Sequence, residues 1–317
     1  MGHGTYPRAT KLRNGLLLGV YTAFENGENV IVTTYCPALN NSLGCSILDD
    51  NLVWERLGEV TRGIGDVDNP FLLQLKNGNV LCAFRNHTTN AVGHQMYFRI
   101  TICVSDDGGR CWKYLSTAEE SSNPARGLWE PFLRLAKDGD LQLYYSRENS
   151  PLDQDSIQRI SHDDGHSWGE AKVISGQGIL ARDGMIGVAE VSRLLVAVFE
   201  TDEDGIMHIK SVTSRDDGKT WGDRSVVYRA KKGVAAAPQV AACGFGLLVT
   251  FQTNEDGTGS RLKAIYGRPG DWRVKMLVGP EEGESGWGGI MKLDGGNVLI
   301  LFDHNGGCKT RKITYTG

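Results

Sequence analysis

Three octapeptides in this chain obey one formula, Ser-x-Asp-x-Gly-x-x-Trp: Ser105 to Trp112, Ser161 to Trp168 and Ser214 to Trp221. They stand about 55 residues apart, and a looser copy with one extra residue runs from Ser46 to Trp54. Self-similarity at such a period belongs to solenoids and propellers. Within each copy the Asp caps backbone N–H groups, the Gly supplies a positive φ and the Trp packs the turn onto its sheet. The motif therefore reads as a turn between two outer strands, and its aspartates as structural rather than as metal ligands.

A second repeat lies between the turns. Trp129–Leu135, the tight turn at Asp138-Gly139, and Leu141–Arg147 read as a β-hairpin, because both central positions of a type I′ turn need positive φ. Related hairpins run from Tyr6 through Asn14-Gly15 to Thr22, and from Asn69 through Asn77-Gly78 to Arg85. Three more run from Gly184 to Phe199, from Ala237 to Gln252, and from Gly288 to Asp303. No segment keeps a 3.6-residue period over a helical length. Six units, each adding a third strand and usually a fourth, predict an all-β, six-bladed β-propeller occupying residues 1–317 as one domain. The last blade reads as short, its fourth strand absent or supplied by a terminus lying outside residues 1–317.

Composition excludes several function classes. A net charge of −4 and a pI near 6.0 offer nothing to nucleic acid or to an anionic membrane. No apolar run approaches the roughly 20 residues of a spanning helix. The seven histidines (3, 87, 94, 162, 166, 208 and 304) form no zinc pattern, so no metal or cofactor is expected. Cys36 and Cys45 flank a turn and could pair, whereas Cys82, Cys103 and Cys243 read as small core residues. The N-terminal sequence has no signal peptide, leaving a cytoplasmic protein or a secreted one without its leader. The sequons at Asn40 and Asn86 point toward secretion. A monomer is expected.

In a propeller the first strand of each blade lines a central channel. Strand-one starts and strand-two ends meet at one mouth. That ring collects Tyr6, Arg8, Asp68, Asn69, Trp129, Glu130, Arg182, Asp183 and Trp287 from first strands. Second strands add Asn86, His87, Arg147, Glu148, Glu200, Thr253, Asp303 and His304. A structural channel does not need so many charges, since charged groups are rarely buried unpaired. The interleaved Tyr6, Trp129 and Trp287 suit stacking against sugar rings. The opposite ends of the same hairpins carry ordinary Asn-Gly and Asp-Gly turns.

Glu130 opens the inner strand of blade 3 and Glu200 closes the second strand of blade 4. Two carboxyls at one mouth on neighbouring blades are what glycoside hydrolysis needs: an acid for the leaving oxygen, and a carboxylate to attack or to activate water. Burial beside Trp129 and Pro131 is expected to raise the pKa of Glu130 toward that of an acid. Arg147 or Arg182 is expected to hold Glu200 low and ionised. Glu190 falls at the far end of its strand and ranks behind them.

The octapeptides resemble the Asp-boxes of the sialidase superfamily. Tyr6-Pro7-Arg8, Leu128-Trp129-Glu130-Pro131-Phe132, Tyr144-Tyr145-Ser146-Arg147-Glu148 and Arg182-Asp183-Gly184-Met185 look more narrowly like the fungal exo-1,5-α-L-arabinanases, family 93 of the glycoside hydrolases. The resemblance spans nearly the whole chain. It implies a retaining enzyme that releases arabinobiose from linear arabinan, with Glu130 as acid/base and Glu200 as nucleophile. A sialidase is the alternative; it would need Arg8, Arg182 and Arg229 or Arg261 to grip a carboxylate, and a nucleophilic tyrosine for which only Tyr266 offers. A carbohydrate-binding propeller without catalysis is the third reading.

Overall fold

A computed structural model describes residues 1–36, 52–257 and 259–315. Cys45, the Asn40 sequon and most of the looser Ser46 to Trp54 copy lie outside the described residues. The described chain forms 23 strands and no helix. Blade 1 is β1 (Thr5–Lys11), β2 (Leu17–Glu25), β3 (Glu28–Cys36) and β4 (Glu55–Gly63). Blade 2 is β5 (Asp66–Gln74), β6 (Val80–Thr89), β7 (Gln95–Ser105) and β8 (Lys113–Ser121). Blade 3 is β9 (Leu128–Leu135), β10 (Leu141–Ser150), β11 (Asp153–Ser161) and β12 (Lys172–Ser175). Blade 4 is β13 (Gly184–Val191), β14 (Leu194–Thr201), β15 (His208–Ser214) and β16 (Gly222–Tyr228). Blade 5 is β17 (Ala235–Cys243), β18 (Gly246–Thr253), β19 (Arg261–Arg268) and β20 (Asp271–Leu277). Blade 6 has three strands, β21 (Ser285–Lys292), β22 (Asn297–His304) and β23 (Gly307–Thr314).

Every neighbouring pair within a blade is antiparallel, and the inner strands touch in succession round to β21 against β1. The ring is closed, a six-bladed propeller as the repeats predict. Its core is six wedges, one at each blade interface. Leu18, Val20 and Phe84 fill the first, and Leu81, Leu143 and Tyr145 the second. The third holds Tyr144, Ile186 and Phe199, the fourth Val196, Val249 and Phe251. The last two are built on Leu248, Ile300 and Phe302, and on Leu17, Leu299 and Leu301. Cys82, Cys103 and Cys243 are buried in these wedges.

The three octapeptides are turns between third and fourth strands. In each, the Asp at the third position accepts from its Ser hydroxyl and from backbone N–H groups, as Asp107 does from Ser105 Oγ at 2.8 Å and the amides of Arg110 and Cys111 at 2.9 Å. Each turn also braces the preceding blade. Thr33 Oγ1 donates to the Gly109 carbonyl at 2.7 Å, Ser116 Oγ to that of Gly165, and Gln142 Nε2 to that of Asp217 at 2.8 Å.

Blade 6 completes itself with the start of the chain. His3 bridges Gly307, the Gly4 amide donates to the Gly306 carbonyl at 2.8 Å, and the Cys308 amide donates to the Gly2 carbonyl at 3.1 Å. Residues 1–4 thus hook onto the outer edge of β23. Starting the chain at Thr5 removes two backbone hydrogen bonds, each contributing about 0.5–1.5 kcal/mol net. The expected outcome is a denaturant midpoint lowered by about 1–3 kcal/mol of stability, with unchanged far-ultraviolet circular dichroism.

Candidate active site

Each of the six inner strands carries an irregularity at the same place. The pairing register slips between Thr5 and Arg8, Asp68 and Phe71, Gly184 and Gly187, Ala236 and Gln239, and Gly286 and Gly289; in blade 3 it slips opposite Tyr144 and Ser146. These are β-bulges, which bend a strand and re-aim its side chains. One residue of each bulge has a left-handed backbone although none is glycine: Tyr6, Asn69, Glu130, Met185, Ala237 and Trp287, with φ between 46° and 54°. Such a conformation costs roughly 1–2 kcal/mol per residue and persists only where the surroundings enforce it.

Four of these residues, Tyr6, Met185, Ala237 and Trp287, pack together. Tyr6 and Trp287 meet with ring centroids 4.7 Å apart. They floor the mouth, and Glu130 and Asn69 complete the ring. A second ring is set by the register. The residue paired with the one just before each bulge is Thr22, Arg85, Ser146, Glu200, Gln252 or Asp303. Two of these side chains bind the next blade's bulge. Glu200 Oε2 accepts from the Ala237 amide at 2.6 Å, and Gln252 Oε1 from the Trp287 amide at 3.0 Å.

Glu130 Oε2 accepts from the Met185 amide at 3.4 Å, so each glutamate is held by a bulge amide one blade further on. Burial pushes the Glu130 carboxyl up to about 7, and the charge of Glu200 adds to the rise. Arg85, the Ser146 hydroxyl and the Met185 amide oppose it. Burial also raises Glu200, which corrects the expectation of a lowered value: Arg182 pulls in the expected direction but is outweighed. Arg147 takes no part, and neither Arg147 nor Arg182 pairs with Glu130. Arg182 donates instead to Glu148 Oε1 at 2.6 Å and Gln154 Oε1 at 2.9 Å.

The other predicted residues divide. Asp68 is buried, accepts from the Asn69 amide at 2.7 Å and pairs with Arg85 at 3.0 Å. Asn69 is buried with its Nδ2 unpartnered. Trp129 lies edge-on to the buried His87, 5.1 Å between centroids, and beneath Arg85. Four do not present themselves at the mouth as expected. Arg8 is buried, with Nη1 on the carbonyls of Pro7 and Trp287, both at 2.9 Å. Asp183 is fully buried between Ser175 and Arg224. Asn86 turns to Thr101. His304 is bound to Ser285 Oγ at 2.9 Å through Nδ1. Because Asn305 Oδ1 accepts from the Glu284 amide, Asn305 Nδ2 faces His304 Nε2; the proton is therefore assigned to Nδ1, and His304 is a donor to Ser285 rather than its base. Glu190 pairs with Lys137 at 2.7 Å, at the far end of the channel.

Arg85 escapes the sequence reading, yet it occupies the register position of Glu200 two blades earlier. Asp66 and Asp68 hold its guanidinium at 2.8 and 3.0 Å, and the rings of Tyr6 and Trp129 lie 5.4 and 5.5 Å away. A cavity of about 280 Å³ opens at the same mouth, bounded by Gln252, Ser260, Glu284, Trp287, Asp303 and Asn305 rather than centred on the glutamates. Among the described residues no cluster of His, Cys, Asp and Glu suits a metal ion.

Fold and mouth together define a six-bladed β-propeller whose polar mouth carries two carboxyls from neighbouring blades. No protein-family model and no curated protein matches the chain. Among solved structures it is similar to the α-L-arabinanase of Penicillium chrysogenum complexed with arabinobiose, with TM-score 0.73 and 19% identity over 98% of this chain and 93% of that one. The family 93 α-L-arabinofuranosidase of Fusarium graminearum, in complex with arabinobiose, superposes with TM-score 0.74 and 18% identity over the same shares. The NanB sialidase of Streptococcus pneumoniae gives TM-score 0.66 and 12% identity over 96% of this chain and 65% of that one.

The raised carboxyl of Glu130 has a consequence for stability. Its folded pKa, about 7, lies above the 4.5 of an ordinary glutamate, so the folded state retains a proton that the unfolded chain has lost. Stability therefore falls as pH rises from about 4.5 to 7 and stays lower above that. Glu130→Gln, which cannot ionise, is expected to unfold about 1–3 kcal/mol later than wild type at pH 8, and with little difference at pH 4. Denaturant titrations at the two pH values check this.

Proposed function

We propose that this protein is a retaining glycoside hydrolase acting on the ends of α-1,5-linked L-arabinan and releasing arabinobiose. The observation that carries the reading is the pair of half-buried carboxyls on neighbouring blades at one mouth, each steadied by a bulge amide, with Glu130 titrating near 7. In this reading Glu200 attacks the anomeric carbon while Glu130 gives its proton to the departing glycosidic oxygen. A glycosyl ester forms on Glu200 and the leaving chain departs as an alcohol. Glu130, now ionised, then takes a proton from water; the water oxygen attacks the anomeric carbon, and Glu200 leaves as carboxylate. The apolar floor of Tyr6, Met185 and Trp287 offers a face for the sugar ring, with Asn69 Nδ2 and Arg85 beside it. No cofactor enters this scheme. A polymeric substrate favours a secreted protein, and the reading needs only one copy of the chain.

The geometry disfavours the sialidase alternative. That chemistry needs arginines free to grip a carboxylate, and here each one is engaged. Arg8 is spent on backbone carbonyls, Arg182 on Glu148 and Gln154, Arg229 on Asp204 and Arg261 on the Gly283 carbonyl. Arg85, which the structure adds at the mouth, is neutralised by two aspartates. A neutral sugar fits a mouth of this charge. A binding-only propeller would have no use for a carboxyl held protonated near neutrality.

Linear arabinan, an aryl arabinofuranoside and a fluorogenic sialoside separate the readings. Arabinobiose is expected from arabinan, and nothing from the sialoside. Glu130→Gln and Glu200→Gln should each lower turnover on arabinan by about 10²–10⁴-fold with the fold intact. Wild-type turnover should decline above about pH 7, as Glu130 loses its proton. Sialoside cleavage, or full activity in either variant, would overturn the assignment.

A further inference from the structure

We infer that Arg224 is a positioning residue for the two-glutamate site, acting through Asp183 to lock the segment 182–185 against the strand that carries Glu200. This deepens the proposed function and rests on it for its catalytic consequence.

Arg224 belongs to β16, the outermost strand of blade 4, where a long cation ordinarily extends into solvent. Instead its side chain is only 18% exposed and runs inward. Its guanidinium forms a fork on Asp183, Nη1 to Oδ2 at 2.6 Å and Nη2 to Oδ1 at 3.0 Å. It also binds Glu203 Oε2 at 2.7 and 2.9 Å, and lies 4.8 Å from the centre of the Phe199 ring. Nη2 reaches Thr201 Oγ1 at 3.4 Å. Phe199 and Thr201 flank Glu200, so one planar group touches the residues on both sides of that glutamate.

Asp183 is equally well placed. It is fully buried, and Ser175 Oγ, from blade 3, donates to it at 2.5 Å. Its amide donates to the Gln154 carbonyl at 2.8 Å and its carbonyl accepts from Gln154 Nε2 at 3.1 Å. On one side of it stands Arg182, whose charge faces Glu200. Two residues beyond it stands Met185, whose amide holds Glu130. A carboxylate with no exposure needs a cation and satisfied lone pairs, and Arg224 supplies both. Neither Arg224 nor Asp183 need touch a substrate to control where the two glutamates sit.

The charges around these groups are few. Glu200 is faced by Arg182, Asp202 and the Ala237 amide, and Glu130 by Arg85, Glu200, Ser146 and the Met185 amide. Asp155 lies near Asp183, while Lys210 shares Glu203 with Arg224. If the fork is lost, Arg182 and the Met185 amide are released together. Both act to keep a glutamate ionised, so both glutamates should then titrate at higher pH.

The test uses the full chain and the variants Arg224→Met, Arg224→Lys and Asp183→Asn. Turnover on linear arabinan, its pH profile and the carboxyl titrations of Glu130 and Glu200 by carbon-13 NMR are measured for each. Arg224→Met is expected to lose about 10–100-fold in kcat with KM within about threefold, since misplacing a catalytic group costs on that order. Its acidic limb and both carboxyl titrations should move to higher pH. Arg224→Lys keeps the charge but not the fork, and should recover thermal stability more fully than kcat. Carboxyl titrations that superimpose on wild type in these variants would overturn the inference, whether or not stability falls. If Arg224→Met does not fold, Asp183→Asn, which preserves shape and removes only the charge, decides by the same titrations. A wild-type protein inert on arabinan would sink the proposed function, while the titrations would still decide whether Arg224 positions the glutamates.

Discussion

The mouth of this propeller depends on one backbone event repeated six times. A β-strand in regular register spends its N–H and C=O groups on its neighbours and points side chains alternately into the two flanking wedges. A bulge breaks that pattern, leaving an unpaired residue whose side chain and amide turn toward the axis. In the six inner strands the unpaired residue is left-handed, and four of the six are followed by proline: Pro7, Pro70, Pro131 and Pro238. Proline has no N–H to leave unsatisfied, so it suits the second position of a bulge. The freed amides of Met185, Ala237 and Trp287 are then taken by Glu130, Glu200 and Gln252. Strain in the backbone and placement of the carboxyls are therefore one feature, and neither can change alone.

The charge pattern follows from the same geometry. Acidic groups brought close in a half-buried mouth repel one another, and the chain answers with cations held in fixed partnerships rather than with mobile ones. Arg85 sits between Asp66 and Asp68, Arg182 against Glu148, and Arg224 between Asp183 and Glu203. Each pair spends its attraction locally. Glu130 is left with opposition too weak to offset its burial, and so its carboxyl is pushed up to about 7.

Much of this was legible in the sequence, and the remainder fails for stated reasons. Hairpins and octapeptide turns are local, and Asp138-Gly139 or Ser161 to Trp168 can be read without any partner. Glu130 and Glu200 follow from counting along those hairpins. The left-handed bulges do not, because Met185 or Ala237 carries no residue preference for positive φ, and the proline that hints at the bulge after Ala237 is missing after Met185. Arg8 sits at a mouth position by count, but its long side chain folds onto the Trp287 carbonyl in the neighbouring blade. Asp183 looks like its neighbour Arg182 until Arg224, from the far edge of the next sheet, is brought beside it. The sign of the Glu200 shift needed the depth of the mouth as well as the nearby charge.

The hook of residues 1–4 over β23 joins the segment ahead of blade 1 to the last strand of blade 6 at a single seam. Every other blade is stitched from consecutive strands, so each can form as soon as its own segment is available. The seam cannot. Its first half precedes blade 1 in the chain, and its second half follows blade 5. During synthesis the ring is therefore an open crescent, with β1 and the edge that will meet β21 both unsatisfied. Closure is a late, long-range event whose slow search is set by topology rather than by the strength of any blade.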